Sequence, residues 1–341
     1  MYRIEKKKWQ DLYRAIGESC DLFAPISAAG KTNFALWHEG ASVDLDTLKT
    51  VKSPKDLFFP QSEVLYTCGR REGQIVVEPQ ALRDRPFVAF GMRACDVRAL
   101  NVLDRVFLAE PVDTYYAARR QQGTIVSLAC NRPAASCFCT AFGIDCAAPE
   151  GDVAAWQTED FLYWQPRTEK GEALTHRVQA LLGPGDDGAV ARCQADIESI
   201  RRRLPLKDLD LSGWGAEAAQ KRFDSPLWEQ LYRPCLACGT CTFVCPTCQC
   251  YDIKDFDTGH GVQRYRCWDS CMYSDFTMMA HGNNRNSQMQ RFRQRFMHKL
   301  AYFPANNDGM FSCVGCGRCV DKCPSHLNIV KVVKAFGKEG E

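Results

Sequence analysis

Two runs of cysteine share one spacing. Cys235, Cys238, Cys241 and Cys245 are followed by Pro246, and Cys313, Cys316, Cys319 and Cys323 by Pro324. Each run reads C-x2-C-x2-C-x3-C-P, the arrangement with which thiolates hold [4Fe-4S] cubanes. Three close cysteines wrap one cubane, and the fourth reaches across to the other. The spacing therefore assigns Cys235, Cys238, Cys241 and Cys323 to one cluster. Cys313, Cys316, Cys319 and Cys245 take the second. Gly239 and Gly317 let the loops bend around the iron core, and Pro246 and Pro324 redirect the chain after the fourth ligand. CxxC pairs also hold zinc, but a zinc site gives no reason for the fourth Cys-Pro.

The remaining cysteines are less regular. Cys95 follows one expected strand and Cys130 ends another, with Cys137 and Cys139 in the loop beyond. If those strands run parallel, all four thiols lie at one edge of a sheet, where α/β folds place their sites. They could hold a third [4Fe-4S] cluster, or Cys95 and Cys130 could be ordinary core thiols. Cys248, Cys250 and Cys271 lie close to the first run. They either bind metal in a further cluster or pack around the neighbouring one and tune it. Cys20, Cys68, Cys146 and Cys193 stand alone and read as plain thiols.

The elements that must position these residues fall into three zones. Residues 1–150 read as an α/β domain: a buried strand at 86–92, a helix from Cys95 to Phe107, and a second strand at 123–130. Residues 151–225 are charged, poor in cysteine and linker-like, with one strand and one helix suggested at 159–165 and 173–182. Residues 226–341 hold twelve of the twenty cysteines. Within them, 286–303 reads as a helix with an apolar stripe through Phe292, Phe296 and Leu300 and a basic stripe through Arg291, Arg295 and Lys299 on another face. The expected fold class is thus α+β, an N-terminal α/β domain followed by a helical two-cluster ferredoxin domain. The long insert between the cysteine runs resembles the helical ferredoxin domains in iron–sulfur subunits of succinate dehydrogenases.

Composition narrows the function. A chain of 341 residues with a net charge of +2 gives no reason to expect nucleic acid as a partner. No run of eighteen apolar residues predicts a membrane span, and Lys6, Lys7 and Lys8 are not followed by the apolar core of a secretion signal. The expectation is a cytoplasmic protein, whose cysteines serve metals rather than disulfides. A Gly-rich nucleotide loop and a recognisable catalytic set are both missing, so any hydride-handling cofactor is expected on another subunit.

Several segments carry a family resemblance that spans nearly the whole chain. They are Arg93-Ala94-Cys95-Asp96, Cys137-Phe138-Cys139, Cys245 to Tyr251, Trp268 to Met272, Met279 to Gly282, His298-Lys299 and Cys313 to Cys319. Together they resemble the iron–sulfur β subunits of cytoplasmic NAD(P)-linked nickel–iron hydrogenases (sulfhydrogenases), and equally the electron-transfer subunits of anaerobic sulfite reductases. The resemblance implies a chain with no catalytic site of its own. It would relay single electrons between a partner that binds FAD and NAD(P) and a hydrogenase or other catalytic subunit. It also implies cluster ligation by Cys95, Cys130, Cys137 and Cys139, and it includes Cys248, Cys250 and Cys271 but not Cys267. The contrasting reading is a non-redox module whose metal sites only hold the fold.

Overall fold

The computed structural model describes residues 1–338. Its larger sheet has eight strands in the order β10-β1-β9-β8-β7-β6-β2-β3. These are β1 (Tyr2–Glu5), β2 (Asp21–Ala28), β3 (Lys31–Leu36), β6 (Phe87–Arg93), β7 (Gly123–Leu128), β8 (Val153–Gln157), β9 (Phe161–Pro166) and β10 (Gly183–Pro184). Strands β2, β6, β7 and β8 run parallel at its centre. As a fully buried parallel strand should be, β6 is apolar along nearly its whole length.

Alternate residues of the central strands feed two cores. Val88, Phe90, Val126 and Leu128 pack with Leu12 and Ile16 of the helix Trp9–Gly17. Phe87, Ala89 and Ile125 face the helix Ala94–Phe107 through Val97, Leu100 and Leu103. The alternation breaks at Gly91, whose φ of +87° and register slip against β7 mark a bulge. That bulge sets the exit of β6, where Arg93, Ala94 and Cys95 turn into the helix.

The boundary suggested near residue 150 is not where the sheet ends. Strands β8, β9 and β10 continue it to residue 184, followed by the helix Asp187–Arg201. The zone's charged residues decorate exposed faces, while Val153, Trp156, Leu162 and Trp164 are buried. Composition averaged over the zone hides that apolar half.

A second, four-stranded antiparallel sheet joins the two ends of the chain. It runs β11-β12-β4-β5, with β4 (Ser62–Arg71) and β5 (Gln74–Pro79) from the first half and β11 (Tyr251–Asp257) and β12 (Val262–Trp268) from the second. The insert expected to be mainly helical therefore opens with a hairpin. The helical part follows as Gln288–Met297, capped by Ser287 through a capping box, then a π-helical turn at His298–Tyr302.

A buried ion pair ties the α/β region to the C-terminal domain, as another does at Arg266 and Glu63. Arg318 donates to Asp96 through both Nη atoms, at 2.6 and 2.9 Å, and the two side chains are 3% and 2% exposed. Removing one partner strands a buried charge, at a cost of about 3–5 kcal/mol. Asp96→Ala should lower stability by that order, seen as an earlier denaturant midpoint. Replacing both partners together, as Asp96→Leu with Arg318→Met, should lose much less. Equal losses in the two variants would show that the pair does not act as a unit.

Candidate iron–sulfur sites

The two cysteine runs adopt the same local shape. Gly239 (φ +71°) begins the short helix Thr240–Phe243, and Gly317 (φ +77°) begins the helix Arg318–Lys322. Left-handed backbone at these points curls each loop so that its three cysteines face inward, and glycine allows this without strain. At Gly317 a Cβ would also collide with the Ser136 backbone.

Cys235, Cys238, Cys241 and Cys323 line one cavity, closed by Met272, Phe292, Phe296 and Leu327. Three of these four come from the first run and one from the second. Burial pushes the Cys241 thiol up to about 11, opposed by the Arg295 guanidinium. Cys238 is exposed and the adjacent Leu236 is 68% exposed, so this cavity is the one nearest solvent.

Cys245 lies among sulfurs of both runs, with Cys241 of its own run a neighbour. The Cys245 sulfur is also an electrostatic neighbour of Cys313, Cys316 and Cys319, all deeply enclosed. Beside them lies Lys299, 3% exposed, donating to Thr247 Oγ1 at 2.8 Å and to the Ser312 carbonyl at 2.9 Å. Burial opposes the Lys299 charge, yet the thiols of Cys245, Cys248 and Cys313 outweigh it and raise its pKa. Arg295 is similarly enclosed, between Cys241 and Cys319. The basic stripe is therefore no solvated face, because Arg295 and Lys299 point into the cysteine-rich interior.

The edge of the large sheet forms a third thiol-lined cavity. Cys95, Cys130, Cys137 and Cys139 all border it, at the carboxyl ends of the parallel strands β6 and β7. Two features are not legible from spacing. Cys146, which reads as a solitary thiol in the sequence, lines the same cavity and is an electrostatic neighbour of Cys139. Cys316 of the second group also lines it, so the two sites share a wall. The loops interlock there: Phe138 N donates to the Gly315 carbonyl at 2.9 Å, and a Cβ on Gly315 would meet the Phe138 backbone. Arg93, 7% exposed, braces this edge by donating to the carbonyls of Ala129 and Leu45 at 2.8 and 2.6 Å. Burial raises the Cys130 thiol to about 12, with Arg93 opposing.

Cys248, Cys250 and Cys271 come together next to Cys245. Cys20 is packed in the core, Cys68 stands on β4, and Cys193 approaches only the Gln157 carbonyl, at 3.8 Å.

The donor sets fit iron–sulfur clusters. Each of the three groups brings together at least four thiols, and the cations enclosed among the first two groups, Arg295 and Lys299, have no carboxylate partner among the described residues. Buried cations need compensating negative charge, and thiolates around a cubane carry it.

Comparison with known proteins agrees. Residues 234–327 match the family described as a 4Fe-4S dicluster domain. Over 333 residues the chain is 28% identical to sulfhydrogenase 2 subunit beta of Pyrococcus furiosus, covering 97% of this chain and 96% of that protein. Residues 234–327 are thus similar to 4Fe-4S dicluster domains, and the chain as a whole is similar to a sulfhydrogenase β subunit. No solved structure matches the chain. No helix among the described residues is long and apolar enough to cross a membrane.

The crossed grouping in this dicluster domain has a direct test. Cys323→Ser is expected to abolish the paramagnetic signal of the solvent-near cluster and leave the enclosed one. Cys245→Ser should do the reverse. If each substitution instead removed the signal of its own run, the crossed assignment would be wrong.

Proposed function

We propose that this chain is the electron-relay subunit of a hydrogenase-type complex, carrying single electrons between a partner that binds FAD and NAD(P) and a catalytic subunit. The observation that supports it best is the sequence of thiol-lined sites. The Cys238 cavity lies at the surface, the Cys245 group is enclosed behind it, and the sheet-edge cavity meets that group at Cys316. A module that used metal only to hold its fold would have no need of adjoining sites leading inward from solvent. The name and full-length similarity of the Pyrococcus relative favour a hydrogenase complex as the setting.

In this reading Cys235, Cys238, Cys241 and Cys323 hold one cluster, and Cys313, Cys316, Cys319 and Cys245 hold the second. Cys95, Cys130, Cys137 and Cys139 hold a third. Bound clusters supply one-electron chemistry at potentials set by ligation, hydrogen bonding and burial. The chain contributes charge and enclosure. Arg295 between the first two groups, Lys299 beside the second, and Arg318 beside Cys316 and Cys95 each offset thiolate charge and favour the reduced state.

The intact complex should bleach on addition of NADH or NADPH, whereas the isolated chain, having no flavin, should respond only to a chemical reductant. In the complex, Cys137→Ser with Cys139→Ser should remove about four iron atoms per chain and slow transfer to the catalytic subunit. Reduction of the isolated chain by NAD(P)H would contradict the relay assignment. Unchanged iron in the double variant would remove the third site.

A further inference from the structure

Of the eight cysteines outside the sites assigned above, three are gathered by the fold. Cys248 and Cys250 precede β11, and Cys271 follows β12. The hairpin pairs Tyr251 with Trp268, and the Asp269 amide donates to the Cys250 carbonyl at 2.9 Å, closing the base of the ladder. The closure makes Cys250 and Cys271 electrostatic neighbours, with Cys248 a neighbour of both Cys271 and Cys245.

A second observation concerns charge. Lys55 comes from the N-terminal region, 193 residues away in sequence, and is 3% exposed. Its ammonium donates to the Cys248 carbonyl at 2.7 Å and lies 4.0 Å from the Trp268 ring centroid. No carboxylate pairs with it among the described residues; burial pushes its pKa down, and the sulfurs of Cys248, Cys245 and Cys250 oppose that only in part. Lys299 approaches the same sulfurs from the opposite domain. Three thiols packed as small apolar groups would make this the worst place to bury a second ammonium. Thiolates bound to a cluster make it a favourable one.

We propose that Cys248, Cys250 and Cys271 hold a further [4Fe-4S] cluster, beside the Cys245 site and clamped by Lys55 and Lys299. Cys245 is committed to the Cys313 group, and Cys267, whose neighbours are Lys254, Asp252 and Asp269, lies outside the set. The cluster therefore has three protein thiolates, which leaves one iron to a ligand other than cysteine. This goes beyond the three-site relay and does not depend on the sheet-edge site.

The test uses the full chain in its complex, purified without oxygen. Cys250→Ser with Cys271→Ser should lose about four iron and four sulfide per chain while the signals removed by Cys323→Ser and Cys245→Ser persist. Unchanged iron overturns the proposal, as does a Cys250–Cys271 disulfide or a single zinc in the unmodified protein. Should the double variant fail to accumulate, the unmodified chain decides. About sixteen iron atoms support the additional site. About twelve, with four of them lost on changing Cys137 and Cys139, overturn it and leave the three-site relay intact.

Discussion

Concentrated negative charge is the constraint around which this molecule is organised. A cubane bound by four thiolates is an anion, and two such groups in one enclosed module cannot stand without compensation. The chain answers with interior cations. Arg295 lies between the first two groups, Lys299 beside the second, Lys55 over Trp268, and Arg318 between Cys316 and Asp96. Among the described residues only Arg318 of these four has a carboxylate partner, and the negative groups nearest the other three are sulfurs. Ligand geometry and the stability of the interior are therefore one problem here.

The same constraint explains why two regions that could have been independent are locked together. Lys55 enters the cysteine-rich module from the far half of the chain, and β12 pairs with β4 across the same divide. Gly315 and Gly317 admit the backbone of residues 136–139 so closely that no side chain fits. Arg318 closes the seam on Asp96. Close backbone approach at that seam is what allows the sheet-edge thiols to adjoin those of the enclosed group, and adjacency is what a relay requires.

Much of this is legible in the sequence, for definite reasons. The eight cysteines of the two runs are local motifs with fixed spacing, and the structure brings Cys323 into the cavity lined by Cys235, Cys238 and Cys241. Strands β6 and β7 and the helix between them follow from apolar runs and helical periodicity. What the sequence conceals is what depends on distant partners. Cys146 looks isolated because the turn that returns it to Cys139 leaves no periodic signal. Lys55 sits in an unremarkable polar segment. Arg295 and Lys299 read only as members of a basic stripe, since helical periodicity reports which residues share a face but not what that face meets. The β11–β12 hairpin reads as helix because its polar, exposed strand β11 lacks the alternation that marks a half-buried strand.

The central claim is that the thiols of these cavities hold redox-active iron cubanes rather than a structural metal. It is tested most directly by iron, acid-labile sulfide and zinc analysis of the anaerobically purified chain, with paramagnetic resonance before and after dithionite. The account predicts a brown protein with iron and sulfide in equal amounts, at least about eight of each from the dicluster domain, silent when oxidised and showing interacting half-spin signals when reduced. A colourless protein containing zinc and no inorganic sulfide would contradict it.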